Sequence, residues 1–125
     1  MKLNQDCIRD VLLAIEKLGT PDTRLFLDDL SNSEFCEKYG INDLGYTVSK
    51  LIEAGFINAS PINVQGGKGF IIRSITWNGH DFLDNIRDKT VWDKTKEKAS
   101  KVGGASIPIL SAIAKEMIFK KLGLN

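Results

Sequence analysis

Four clusters in this chain of 125 residues combine side chains that could do chemistry. "GGKG", from Gly66 to Gly69, sets a lysine among glycines, as in loops whose backbone N–H groups surround a phosphate. "WNGHDFL" puts His80, the single histidine, beside Asp81, a general base next to a carboxylate that would orient it. Asp81, Asp84 and Asp88 succeed one another three and four positions apart, as cooperating carboxylates would on a helix. Cys7 and Cys36 are the two thiols.

Spacing decides against each. A nucleotide-binding loop requires G-x-x-x-x-G-K-[ST] between a strand and a helix. Here Gly69 and Phe70 follow Lys68, no hydroxyl stands beside it, and a β-rich run comes next. The glycines fit positive φ angles in a tight hairpin turn instead. His80 has no nucleophile or second base near it in sequence, and no G-x-S-x-G or Cys–His arrangement occurs, so it is expected to be a helix-start residue. The aspartates fall on one helix as ordinary surface. The cysteines, 29 positions apart, match neither a zinc knuckle nor a redox pair, and are expected as small buried hydrophobes in a reducing cytoplasm. The sequence therefore predicts no enzyme, no metal and no cofactor.

Composition sets the frame for these residues. With 42% hydrophobic and 26% charged residues the chain can build a core and is not disordered. Asp6 and Arg9 interrupt the first apolar pattern, which does not read as a signal peptide. No apolar run is long enough to span a membrane. Net charge is +1, unevenly spread: residues 1–60 hold six Lys/Arg against ten Asp/Glu, and residues 61–125 eleven against six. A polyanion would meet the second half first.

Periodicity supplies the elements. Asn4–Leu18 is a helix, capped by Asn4 or Asp6, with Ile8, Leu12 and Ile15 on its apolar stripe and Gly19 and Pro21 at its end. "TRLFLDDL" is a strand or the lead-in to a helix. Ser31 or Ser33 caps a short helix through Phe35 and Cys36. Asn42–Ala54 is a helix capped by Asn42 or Asp43, with Leu44, Val48, Leu51 and Ile52 on one face and Tyr46, Ser49, Lys50 and Glu53 opposite; Gly55 ends it. "FINASPINV" and "FIIRSITW" read as two strands joined at "QGGKG", with Pro61 implying an edge strand or a bulge. Thr76 caps a further helix, and Trp77 and Trp92 are expected in the core. Helix, short helix, helix, hairpin, helix is the order of a winged helix-turn-helix, an α+β fold that is mostly α.

"KLIEAGFI" followed after a hairpin by "ITWNGHDFL" resembles the paired phrases of winged-helix repressors of the multiple-antibiotic-resistance and phenolic-acid-repressor kinds. The whole chain resembles a family of short phage- and prophage-borne proteins catalogued as a domain of unknown function. "MKLNQDCIRD" (Met1–Asp10), "TWNGHDFLDNIRD" (Thr76–Asp88) and "VWDKTKEKASKVGG" (Val91–Gly104) carry that resemblance. It implies a winged-helix domain, with residues 1–88 as that domain and 89–125 as a helical C-terminal extension. That family brings a phage or mobile-element origin but no activity; the likeness to winged-helix repressors implies a site for double-stranded DNA: Tyr46, Thr47, Ser49 and Lys50 on the third helix, Lys68 and Arg73 on the wing. The expected role is a DNA-binding transcription regulator. That helix carries one lysine, no arginine, and Asp43 and Glu53, whereas specific readers usually bring arginine to guanine. The alternative is an interaction module that binds a host or phage protein.

The extension has two helical patterns. "RDKTVWDKTKEKASK" puts Trp92, Thr95, Ala99 and Val102 on one side of a Lys-rich helix. Ser106 caps a second helix, striped by Ile107, Leu110, Ile113, Ala114, Met117 and Ile118. Three burials are open to that stripe: its own domain, a second subunit in a homodimer, or a membrane surface flanked by Lys115, Lys120 and Lys121.

Overall fold

The computed structural model describes residues 2–103 and 106–124, and of Lys68 the backbone alone. Helix α1 (Gln5–Leu18) begins where the Asn4 side chain accepts from the Cys7 N–H at 3.1 Å, so Asn4 and not Asp6 is the cap. The expected stripe of Ile8, Leu12 and Ile15 is buried, together with Val11 and Ala14. Burying each of the Ile, Leu and Val side chains contributes roughly 1.5–3 kcal/mol relative to exposure.

"TRLFLDDL" is used both ways. Leu25 exchanges two backbone hydrogen bonds with Ile72, at 2.9 and 2.8 Å, forming an isolated antiparallel bridge. Helix α2 (Leu27–Ser31) follows at once. The short helix expected to start at Ser31 or Ser33 is therefore displaced, and residues 32–39 are turns and bends. The cause is local. The Asp29 carboxylate accepts from the Phe26 N–H at 2.7 Å and opens the helix early. The Ser33 hydroxyl is spent on the Leu30 carbonyl at 2.7 Å.

Helix α3 (Ile41–Glu53) buries Leu44, Thr47, Val48 and Leu51. Gly40 stands at its N-cap without a side-chain bond, and the expected caps, Asn42 and Asp43, lie in its first turn. Gly55, at φ +76°, closes it as expected. Strands β1 (Ile57–Val64) and β2 (Gly67–Ile75) pair antiparallel, with Val64 opposite Gly67 across a Gln65–Gly66 corner. Gly66 has φ +90°, which only glycine adopts without strain. The "GGKG" stretch is thus a wing tip. Pro61 sits on the edge strand, as expected, and the bulge falls nearby: Asn58 faces Ser74 and Ala59 faces Ile72, leaving Arg73 as the extra residue.

Helix α4 (Trp77–Ile86) follows β2, then α5 (Lys89–Ser100) and α6 (Ile107–Lys121). The result is an α+β fold, mostly α, in the order of a winged helix-turn-helix with a C-terminal helical extension. Two compact units, Met1–Gly79 and His80–Asn125, divide within α4. In the second unit α5 and α6 pack on each other, with Trp92, Thr95, Ala99, Leu110 and Ala114 buried. Asp88 caps α5 by accepting from the Val91 N–H at 3.1 Å and pairs with Lys121 at 2.8 Å. The lysine first, and then that N–H, hold its carboxyl below the usual range. Lys98–Glu116 (2.8 Å) joins α5 to α6, and Lys115–Asp81 (3.2 Å) joins α6 to α4. Exposed pairs of this kind add little to stability, because water and salt screen them. The serial aspartates are therefore surface ion-pair partners. Val102, expected on the buried side of α5, is 71% exposed because the helix stops at Ser100. Trp92 is a core anchor, as expected; Trp77 is not, at 86% exposed.

The first unit buries a small polar cluster. Asp10 is 8% exposed, accepts from the Tyr39 hydroxyl at 2.6 Å and meets the Lys38 ammonium at 3.2 Å. Burial first, then the Asp10 hydrogen bond, push the Tyr39 phenol up and keep it protonated as the donor. Both cysteines are free and wholly buried. Burial raises the Cys7 thiol, and it pushes Cys36 from 9.0 up to about 11. A raised thiol pKa means that the folded chain holds its proton longer than the unfolded chain. Stability is then full below pH 9.0 and falls as pH rises toward about 11. Cys36 accounts for up to about 2–3 kcal/mol of that fall. Denaturant midpoints measured from neutral to alkaline pH should drop only above that threshold. A thiol reagent should label neither cysteine near neutral pH until the protein is unfolded.

A candidate interaction face between α3 and the wing

The two phrases that suggested a winged helix form one hydrogen-bonded junction. Past the end of α3, the Phe56 N–H donates to the Leu51 carbonyl at 3.0 Å. The Thr76 N–H donates to the Phe56 carbonyl at 3.0 Å, and the Thr76 hydroxyl to the Gly55 carbonyl at 2.6 Å. The same hydroxyl oxygen accepts from the Gly79 N–H at 3.1 Å, capping α4 as expected. Gly79 lies so close to Phe56 that no side chain fits between them. This junction fixes the direction of the hairpin relative to α3, and so builds the face on which α3 and the wing stand together.

The residues expected on that face are distributed unequally. Thr47 is 1% exposed, and its hydroxyl donates to the Cys7 sulfur at 3.2 Å. It belongs to the core, because its place on α3 beside Val48 turns it toward α1 and not outward. Tyr46, Ser49 and Lys50 are half-buried on the outer side. Ser49 donates to the Tyr46 carbonyl at 2.7 Å. The Lys50 ammonium lies 5.4 Å from the Tyr46 ring centre and 3.1 Å from Glu53, whose carboxylate holds it protonated above its usual range. Arg73 is exposed at the bulge and donates to the Ser60 hydroxyl at 2.9 Å. The side chain of Lys68 lies outside the described residues. His80 is exposed in the first turn of α4.

Sequence reasoning missed the feature that dominates this face. An open groove of about 1080 Å³ runs between the start of α3 and the wing tip, lined by Ile41, Asn42, Asp43, Tyr46, Ser49, Val64 and Phe70 among others. A second hollow of about 400 Å³ shares Leu27, Ile41, Val64, Gln65 and Phe70 with it and adds Phe26 and Asp28. Phe26, Ile41 and Val64 are 44%, 47% and 45% exposed, large apolar side chains from three elements on one surface. No described lysine or arginine lines either hollow. Each apolar residue had a sequence signal of a kind: Ile41 lies one turn before Leu44 on the apolar side of α3, Phe26 immediately precedes α2, and Val64 is at a strand tip. Nothing in the sequence shows that the three converge.

A family described as "Hypothetical protein (DUF2513)" matches residues 2–106. The chain belongs to the DUF2513 family. An "Uncharacterized protein" from Haemophilus influenzae strain Rd is 30% identical over 123 residues, covering 98% of this chain and 99% of that protein. No solved structure matches the chain. The family match spans the Thr76–Gly79 junction, the α3–wing face and all of α5, and ends at the start of α6.

Of the three burials open to the α6 stripe, packing within its own chain is seen, on α5. Ile107, Leu110 and Ala114 are buried, and Ile113, Met117 and Ile118 are half-buried, in the unit where α6 packs on α5. The apolar side chains that α6 leaves exposed are Ile109 and Phe119. No described helix is long and apolar enough to cross a membrane. Among the described residues no group of three or more His, Cys, Asp or Glu could hold a metal ion.

Proposed function

We propose that this chain is a binding protein and not a catalyst: a winged-helix interaction module of phage or prophage origin, acting in the cytoplasm on a host or phage protein. One observation carries this reading. Where a DNA reader brings cations, the α3–wing face offers exposed Phe26, Ile41 and Val64 beside Asp28 and Asp43, and its Lys50 is tied to Glu53. Apolar surface drives association with protein, whereas phosphate contact depends on Lys and Arg. The cytoplasmic setting is supported by two buried cysteines kept as thiols. The phage setting rests on the resemblance carried by Met1–Asp10, Thr76–Asp88 and Val91–Gly104.

Affinity capture from bacterial lysate, with and without nuclease, tests the reading. Ile41→Asp is the matched control, since an acidic residue in the first turn of a helix is favourable for folding. A protein retained after nuclease treatment and lost with Ile41→Asp is the expected result. Capture that disappears with nuclease overturns it.

The element order and the exposed Arg73 favour a second reading, a double-stranded DNA-binding transcription regulator. In that case affinity for nonspecific duplex falls steeply from low to physiological salt, and Lys50→Glu and Lys68→Glu each weaken it. Salt-insensitive or absent binding removes this reading. A homodimer through α6 would have to use Ile109 and Phe119, and Ile109→Glu with Phe119→Glu would dissociate it.

A further inference from the structure

We infer that the occupant of the α3–wing face is a protein segment with apolar anchors flanked by lysine or arginine. This rests on the reading of the face as a protein-binding one and adds the chemistry of the partner. The apolar part of the argument is the convergence of Ile41, Val64 and Phe26 at the rim of two hollows that share a floor of Leu27 and Phe70. Both hollows are open troughs, whereas small-molecule sites enclose most of their ligand, so the shape suits side chains laid in from a larger partner.

The charged part comes from Asp28 and Asp43. Asp43 lines the larger hollow and Asp28 the smaller, and both side chains are exposed. Among the described residues neither makes an ion pair within the chain, so both carboxylates are open to a partner's cation. Two carboxylates beside apolar surface attract a cationic partner and repel an acidic one, which sets orientation and specificity. The same pair repels nucleic acid. Residues 1–60, which supply α2 and α3, carry six Lys/Arg against ten Asp/Glu, so the wider field has the same sign.

Selection of a random displayed-peptide library on the full-length protein tests this. Selected peptides should combine aromatic or aliphatic anchors with Lys or Arg. A synthetic copy of the best should bind about tenfold or more weakly to Ile41→Asp. Asp28→Asn together with Asp43→Asn should weaken it about three- to tenfold at low salt, with the difference shrinking at high salt. Far-UV circular dichroism identical to wild type establishes that each variant is folded. Apolar peptides without basic bias, lost with Ile41→Asp, overturn the inference but leave the protein-binding reading intact. Failure to select any peptide, with salt-dependent duplex binding instead, overturns both. Self-association abolished by Ile41→Asp replaces the foreign partner with a second copy and overturns the inference.

Discussion

Gly79→Ala is expected to destabilise the winged-helix unit by about 3 kcal/mol or more, at the upper end of what overpacking a well-filled site costs. A Cβ at this position would lie 2.0 Å from the Phe56 carbonyl oxygen, 2.6 Å from a methyl of Ile75 and 2.9 Å from the Phe56 carbonyl carbon. Two of these are backbone atoms, which cannot swing aside as a long side chain would. Nor is that backbone free to move, since the Phe56 carbonyl accepts from Thr76 and the neighbouring Gly55 carbonyl accepts the Thr76 hydroxyl. Relief requires α4 to lift from the start of β1, which breaks the cap at Thr76 and releases the hairpin. The urea midpoint should fall sharply. Amide shifts of Gly55, Phe56 and Thr76 should move more than those of the wing tip. Gly40→Ala is the matched control, because a Cβ there meets nothing within 4 Å and the backbone is extended; it should cost no more than about 1 kcal/mol, the loss of an N-cap glycine. An unchanged midpoint for Gly79→Ala would falsify the description of this junction.

The two tryptophans are expected to respond in opposite ways to the same substitution. Trp92→Ala removes a side chain that is 1% exposed in the unit formed by α5 and α6 and should cost about 3–5 kcal/mol, the transfer term plus the cavity left behind. Trp77→Ala removes one that is 86% exposed and should change stability by about 0.5 kcal/mol or less. Fluorescence gives an independent check. In the Trp92→Ala protein the remaining emission should be readily quenched by acrylamide, and in the Trp77→Ala protein it should be shielded. Equal costs, or quenching in the reverse order, would mean that α4 begins in a different orientation.

That contrast also marks where sequence reasoning reaches its limit. Both tryptophans sit at the start of an amphipathic pattern, and composition treats them alike. Trp92 lies one position past Val91 on a helix whose Thr95 and Ala99 repeat the same side, so period alone buries it. Trp77 follows the cap Thr76 and has no partner three or four residues on that is buried with it: Gly79 is taken by Phe56, and His80 and Asp81 are exposed. Thr47 erred the other way. As a polar residue between Tyr46 and Val48 it read as surface, but it stands on the buried side of α3 with Leu44 and Leu51, and its hydroxyl finds a partner in the Cys7 sulfur, 40 positions away in sequence.

The amino-acid order alone determined the succession of elements, the glycine-rich hairpin corner, the caps at Thr76 and Ser106, and the exclusion of a phosphate loop. These depend on interactions between residues a few positions apart, which leave periodic or positional marks in the chain. Tertiary structure alone decided that Leu25 bridges to Ile72, that α6 spends its stripe on α5, and that Phe26, Ile41 and Val64 meet beside two carboxylates. Those outcomes arise when segments distant in sequence compete for the same apolar surface, and the winner depends on packing geometry that no local pattern records.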